Sequence, residues 1–173
     1  MSRAFTREDD ARDAPLPKPV SPLPPGARNL LTPAGAARLR AELAQLVERE
    51  RPRLIAAAAE AGGRGADAKE DLQRADWRIA YLQQGLATAE IVPPPPPPHD
   101  TVRFGATVTV RDAQGGESHY RIVGVDEADF ARDEVSWLSP IARALLNARL
   151  GQRVPFRFPS GHTTLEIVAI RYA

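Results

Sequence analysis

The carboxylates of Asp67, Glu70 and Asp71 are the side chains of this sequence best suited to chemistry. Asp67 and Glu70 are three positions apart, so in a helix they lie on one face and could converge on a single ion. Carboxylate oxygens are the hard ligands that Mg²⁺ prefers, usually one or two of them together with waters. A second interpretation involves no ion, because acidic residues at a helix start are favoured by capping and by the helix dipole alone.

Other reactive side chains are few and scattered. The chain has no cysteine, which excludes disulfides, thiolate zinc sites and a cysteine nucleophile. The three histidines, His99, His119 and His162, show no metal-ligand spacing. Ser160 and Gly161 precede His162, but no strand, elbow and helix surround them as they would a nucleophile motif. None of these residues therefore forms a recognisable catalytic or metal-binding motif.

The composition restricts the function classes. With 173 residues the chain can hold one or two small domains. Its formal net charge is only +1, so it offers no global basic field for nucleic acid or anionic lipid. No apolar run approaches the length of a membrane span, and the N-terminus lacks the apolar core of a signal peptide. We expect a cytoplasmic protein without a membrane partner.

Residues 1–30 differ from the rest of the chain in composition. They carry acidic residues near the start, then a set of prolines: Pro15, Pro17, Pro19, Pro22, Pro24 and Pro25. Few apolar residues accompany them. This composition favours a disordered or polyproline-II-like tail.

Residues 31–92 predict an antiparallel coiled-coil hairpin. Thr32 is placed to cap the first helix, with Pro33 in its first turn, and the glycine pair at 62–63 ends it. The apolar face of this helix comprises Leu39, Leu43, Leu46 and Val47. Pro52 removes a backbone hydrogen bond and is expected to kink the helix after Glu50-Arg51.

The second helix begins near Asp67 and carries an a/d seam with steps of three and four residues. The seam residues are Leu72, Ala75, Ile79, Leu82, Leu86 and Ala89. The first helix is longer, about 43 Å against about 36 Å at 1.5 Å per residue, so part of it must be unpaired. We expect this excess at the base, before Leu39, which places Asp67 and Glu70 at the distal end of the hairpin.

Residues 93–100 predict a linker, and residues 101–173 predict a second domain. The uninterrupted prolines Pro93–Pro98 favour polyproline II and a semi-rigid spacer. Beyond them the apolar period switches to two, which indicates short strands joined by turns. Ser139 and Pro140 are placed to begin one short helix in this β-rich segment. The predicted fold class is α+β, an antiparallel sheet with one helix against it.

Several stretches of the sequence resemble the Gre family of bacterial transcript-cleavage factors, of the longer-coiled GreB type. They are Phe104-Gly-Ala-Thr-Val108, Tyr120-Arg-Ile-Val-Gly124 and above all Ser139-Pro-Ile-Ala-Arg-Ala-Leu-Leu146. The resemblance covers about residues 30–172 and implies an FKBP-like C-terminal domain. It also implies a monomer that binds RNA polymerase at its secondary channel and meets nascent RNA and DNA only within the elongation complex.

In that family the coiled coil enters the channel, and an acidic tip helps to hold a second catalytic Mg²⁺ at the polymerase active centre. The polymerase itself then cleaves backtracked RNA. The resemblance therefore implies a cofactor in trans that has no catalytic residue of its own and no stably bound metal, and that shares Mg²⁺ with the polymerase. The family's Asp-x-x-Glu spacing matches Asp67 and Glu70, and Asp71 follows directly.

The sequence departs from the family pattern at the tip. The Asn-Ala-Glu/Asp-Tyr stretch that follows the acidic turn in the family is missing, and the return arm is shorter by about two turns, or roughly 11 Å. Two functions stay open at this point. The chain either assists cleavage through Asp67 and Glu70, or occupies the channel as a competitor or inhibitor whose tip does not assist hydrolysis.

On the C-terminal domain, the expected polymerase contacts are Ser139, Pro140, Ala142 and Arg143. An arginine beside apolar residues on a helix surface suits an interface anchor. The alternative role of Arg143 is an ion pair with Asp133 or Glu134. Prolyl isomerase activity is rejected, because fold alone does not carry function and a domain with few aromatic residues does not predict an aromatic-lined pocket.

Overall fold

Two helical arms form the N-terminal half of the chain. The computed structural model describes residues 20–61 and 66–172. The predicted leader up to residue 19 and the predicted glycine-rich loop at 62–65 lie outside the described residues. The first arm comprises helix α1 (Pro33–Gln45), one π-helical segment (Leu46–Glu50) and helix α2 (Arg51–Ala61). The second arm is helix α3 (Ala66–Thr88).

Local sequence signals explain how the first arm starts and where it is interrupted. The Thr32 side chain accepts a hydrogen bond from the Gly35 N–H at 3.0 Å, which confirms the predicted N-cap. Pro52 has no N–H for the carbonyl of Glu48, and its ring would collide with that carbonyl in a regular helix. The wider π-helical segment lies at this point, so the interruption predicted at Glu50-Arg51 begins slightly earlier.

The apolar seam holds the two arms together. Its buried residues are Leu31, Ala36, Leu39 and Leu82, with Leu43, Leu46, Leu86 and Ala89 packed against them. Ala75 and Ile79 are buried as well, as the a/d pattern predicts. Val47 is 43% exposed, so its predicted place on the seam is wrong. It lies in the π-helical segment, where the helical repeat changes.

The base of the hairpin is closed by a short strand pair that the sequence did not indicate. Strand β1 (Leu30–Leu31) pairs in parallel with strand β2 (Glu90–Ile91) and aligns the two arms. Ala36 is fully buried. The expected unpaired excess before Leu39 is therefore wrong, because Ala36 packs in the same cluster as Leu82 of the other arm.

The C-terminal half is a five-stranded sheet with one helix against it. The strands are β3 (Ala106–Arg111), β4 (Glu117–Val123), β5 (Glu134–Ser136), β6 (Arg153–Phe158) and β7 (Gly161–Tyr172). Their order in the sheet is β5-β4-β3-β7-β6. The predicted α+β class is confirmed, but the sheet is mixed rather than antiparallel, because β5 pairs in parallel with β4. Two 3-10 turns, Val125–Glu127 and Phe130–Arg132, carry the chain back along the sheet edge before β5 begins.

Helix α4 (Pro140–Leu145) covers one face of this sheet. Its Ile141, Ala142 and Leu145 side chains are buried against the core residues of the strands. The linker packs on the same domain, where the His99 ring lies 4.6 Å from the Tyr172 ring. Within the described residues, no helix is long and apolar enough to cross a membrane.

Candidate functional site

The acidic residues singled out by the sequence lie at the end of α3 remote from the sheet domain. Asp67 is in the first turn of α3, whose last residue, Thr88, is at the hairpin base. At 1.5 Å per residue, the 21 steps between them correspond to about 32 Å. Asp67 and Asp71 are exposed and Glu70 is half-buried. The hairpin therefore presents these carboxylates at its distal end.

A basic residue that the sequence analysis overlooked lies among these carboxylates. Arg74 forms an ion pair with Glu70 one helical turn away, and its guanidinium lies 3.5 Å from a carboxylate oxygen of Asp71. The i,i+3 and i,i+4 spacings could have revealed both pairs from the sequence. In the described part of the chain, no group of three or more His, Cys, Asp or Glu residues could hold a metal ion.

Glu127 joins the hairpin to the sheet domain. Its side chain is only 4% exposed, and its carboxylate accepts hydrogen bonds from the Thr32 N–H at 2.9 Å and the Gly124 N–H at 2.8 Å. The Thr32 hydroxyl donates a third hydrogen bond to the same carboxylate. Thr32 thus caps α1 and binds the sheet domain at once.

Two glycines make this close approach feasible. A Cβ atom at Gly35 would lie 1.7 Å from a carboxylate oxygen of Glu127. A Cβ atom at Gly124 would lie 2.2 Å from the carbonyl oxygen of Leu30. Neither contact could be relieved by a small side-chain movement. At Gly35 the space is occupied by a carboxylate that accepts three hydrogen bonds, and at Gly124 it is occupied by backbone. The junction between the hairpin and the sheet domain, formed around Thr32 and Glu127, therefore depends on two glycines, which carry no side chain.

A second buried carboxylate, that of Glu134, also connects the hairpin to the sheet domain. Glu134 is 4% exposed and accepts hydrogen bonds from both terminal nitrogens of Arg38, at 3.1 and 3.2 Å. The Arg121 guanidinium lies 3.5 Å from Glu134 on the other side. The hydrogen bond with Glu134 raises the pKa of Arg38. This clamp fixes the direction in which α1 leaves the sheet domain.

Tyr81 makes a third contact across the junction. Its hydroxyl donates a hydrogen bond of 2.5 Å to the Asp126 carboxylate. Burial raises the pKa of Tyr81, and the hydrogen bond to Asp126 raises it further. Sequence reasoning missed the whole junction, because nothing in the local pattern distinguishes a buried Glu127 or Glu134 from the solvated acidic residues around it.

The Ser139 turn shows which of the expected contact residues face outward. The Ser139 side chain accepts a hydrogen bond from the Ala142 N–H at 3.2 Å, as its capping role predicts. Pro140 and Arg143 are exposed. Ala142 is fully buried in the core, so it cannot touch a partner and can act only by supporting the helix.

The alternative role considered for Arg143 finds no support in the ion pairs. Glu134 is engaged by Arg38 and Arg121. Among the described residues, no ion pair joins Arg143 to Asp133 or Glu134.

The expectation that the sheet domain lacks an aromatic-lined pocket is wrong. An open cleft of about 390 Å³ lies on the sheet, and Tyr120, Phe156 and Phe158 line it together with His162. The Phe156 and Phe158 rings are 5.9 Å apart. The cleft alone assigns no activity, because a fold and a cavity do not define a reaction.

Comparison with known proteins places both halves of the chain in one family. Residues 97–172 match the family described as "Transcription elongation factor, GreA/GreB, C-term". Residues 29–91 match the one described as "Transcription elongation factor, N-terminal". The chain belongs to the GreA/GreB family of transcription elongation factors. The resemblance inferred from the Ser139–Leu146 stretch is thereby confirmed.

Individual members of the GreA/GreB family match most of the chain. "Transcription elongation factor GreB" of Neisseria meningitidis serogroup A is 38% identical over 154 residues, covering 84% of this chain and 94% of that protein. The GreB of Pseudomonas aeruginosa is 40% identical over 151 residues, covering 83% and 90%. Among solved structures, the GreA factor homolog 1 protein of Thermus thermophilus is 27% identical, covers 84% of this chain and 99% of its own, and has a TM-score of 0.39.

Proposed function

We propose that this elongation factor binds RNA polymerase through residues 101–173 and inserts its hairpin, residues 31–92, into the secondary channel. The junction carries the proposal. Glu127 and Glu134 hold the hairpin base against the sheet domain, so docking of that domain determines where the hairpin tip lies. A probe of this kind must be held rigidly, because its effect depends on tip position to within about an ångström.

Asp67 and Glu70 are the residues proposed to act in the channel. They supply hard carboxylate oxygens at the distal end of α3, which fits a Mg²⁺ ion held jointly with the polymerase. Mg²⁺ would there activate the water that cleaves backtracked RNA. The factor itself contributes ligands and position, so it acts in the cytoplasm as a monomeric cofactor of the polymerase rather than as an enzyme.

One observation favours a second function. Arg74 already pairs with Glu70 and Asp71, and a guanidinium at this place competes with a cation for the same oxygens. If the pairing persists in the channel, the hairpin blocks the channel without assisting hydrolysis. The factor would then slow elongation or displace a cleavage-stimulating relative.

RNA cleavage in stalled, backtracked elongation complexes distinguishes the two functions. For an active tip, we expect Asp67→Ala and Glu70→Ala to lower the cleavage rate by at least tenfold while polymerase binding stays unchanged. Glu48→Ala, which removes an exposed carboxylate on the other arm, is the matched control, and cleavage in its presence should proceed at the wild-type rate.

A wild-type protein that binds polymerase, stimulates no cleavage and inhibits a cleavage-stimulating relative would support the blocking function. A wild-type protein that does not bind polymerase at all would refute both.

A further inference from the structure

Phe130 is the most exposed large apolar side chain of the sheet domain. Its side chain is 94% exposed, whereas the other aromatic residues of that domain lie against the core, the linker or the cleft. An isolated exposed apolar residue is common on protein surfaces. What distinguishes Phe130 is the loop that presents it.

The loop is held in one shape from within. Asp129 and Glu134 exchange backbone hydrogen bonds of 2.9 and 3.0 Å, which close the loop at its base. The Asp129 carboxylate accepts from the Ala131 N–H at 2.9 Å and lies 3.4 Å from the Arg132 guanidinium. Asp133 adopts the left-handed conformation, with φ of 55°, that completes the turn. The Phe130 ring is therefore presented on a structured loop, which lowers the entropy lost when a partner immobilises it.

The loop and the Ser139 turn lie on the same edge of the sheet. Edge strand β5 connects them, and its three residues span about 10 Å. Pro140 and Arg143 are exposed beyond one end of β5, and Phe130 and Arg132 beyond the other. An exposed aromatic ring on the same sheet edge as an exposed arginine, Arg143, has the composition of an interface hot spot.

We infer that Phe130 is an anchor of the polymerase contact and inserts into an apolar pocket. This inference rests on the proposed function, because it assigns to the polymerase the surface that contains Ser139 and Arg143. Nucleic acid fits this surface less well. Arg132 is engaged by Asp129, and the net charge of the whole chain is only +1.

The test measures the dissociation constant of the full-length factor for RNA polymerase with Phe130→Ala. We expect binding to weaken about 30-fold, the effect of truncating a hot-spot residue. Phe130→Leu, which keeps part of the apolar surface, should weaken it less. Leu150→Ala is the matched control, because Leu150 is an exposed apolar residue, at 52%, whose backbone N–H binds the Asp100 carbonyl, away from β5. It should bind like the wild type.

Thermal unfolding of the same variants tests whether weaker binding reflects a folding defect. We expect unchanged unfolding temperatures, since an exposed ring contributes little to stability. Equal binding by Phe130→Ala and the wild type would overturn the anchor and leave the proposed function intact. Equal weakening by Leu150→Ala would also overturn it, because the effect would then not be specific to Phe130. Absence of binding by the wild-type factor would overturn both the anchor and the proposed function.

Discussion

Removing the Glu127 carboxylate should uncouple the hairpin from the sheet domain. Glu127→Ala deprives the N–H and hydroxyl of Thr32 and the N–H of Gly124 of their common acceptor. Each buried donor left without a partner costs about 1–3 kcal/mol. Three such donors would together cost about 3–9 kcal/mol, and water entering the vacated space offsets part of this cost, so we expect a net loss of about 3–5 kcal/mol.

The loss should fall mainly on the hairpin. A two-helix hairpin with a narrow seam is only marginally stable alone, whereas the sheet domain has its own larger core. The chain contains two tryptophans, Trp77 in α3 and Trp137 after β5, so each half carries its own fluorophore. Replacing one tryptophan at a time by phenylalanine allows urea unfolding of each half to be followed separately.

In the wild-type background we expect the two probes to report coincident transitions. In Glu127→Ala, the transition reported by Trp77 should move to lower urea while that reported by Trp137 moves much less. Glu166→Ala is the control, since Glu166 forms a surface ion pair with Arg153 at 3.2 Å that should contribute at most about 1 kcal/mol. If Glu127→Ala shifts neither transition by more than the control does, the junction does not couple the two halves.

Two further predictions concern single side chains. Arg74→Ala should free Glu70 from its ion pair. If the tip is active, the polymerase should then cleave backtracked RNA faster or at lower Mg²⁺, whereas a blocking hairpin should still stimulate no cleavage. Lys69→Ala controls for the loss of a positive charge nearby. Because the pKa of Tyr81 is raised above 10.0 in the folded protein, its contribution to stability is complete below pH 10 and is lost as the pH rises through the folded value. Tyr81→Phe should therefore make alkaline unfolding less steep, and an unchanged slope would contradict this reasoning.

Local signals in the sequence predicted the elements of the fold well. Thr32 and Ser139 cap helices through their own side chains, and the middle of the predicted a/d seam of α3, Ala75, Ile79 and Leu82, is buried. These features depend on residues within a few positions of one another. Capping preferences and helical periodicity are therefore sufficient to find them.

Features that depend on distant residues could not be found in this way. The parallel pairing of β5 with β4 and the β1–β2 pair at the hairpin base are set by tertiary packing, and two-residue strands carry almost no pattern. The junction at Glu127 joins residues 95 positions apart. The Asp67 and Glu70 spacing was visible in the sequence, but the competing Arg74 was overlooked although its spacing was equally local.

Because α3 is long, a small change of angle at the junction produces a large displacement of the hairpin tip. Asp67 is about 32 Å from the hairpin base, so a tilt of roughly 2° at Thr32 displaces the tip by about 1 Å. Misplacement of that size can reduce a catalytic rate by about a hundredfold. Substitutions at Gly35, Gly124 or Arg38 could therefore displace the tip and change the cleavage rate, although none of these residues lies near the tip. A hairpin transplanted from a relative should work here only if its base angle is preserved.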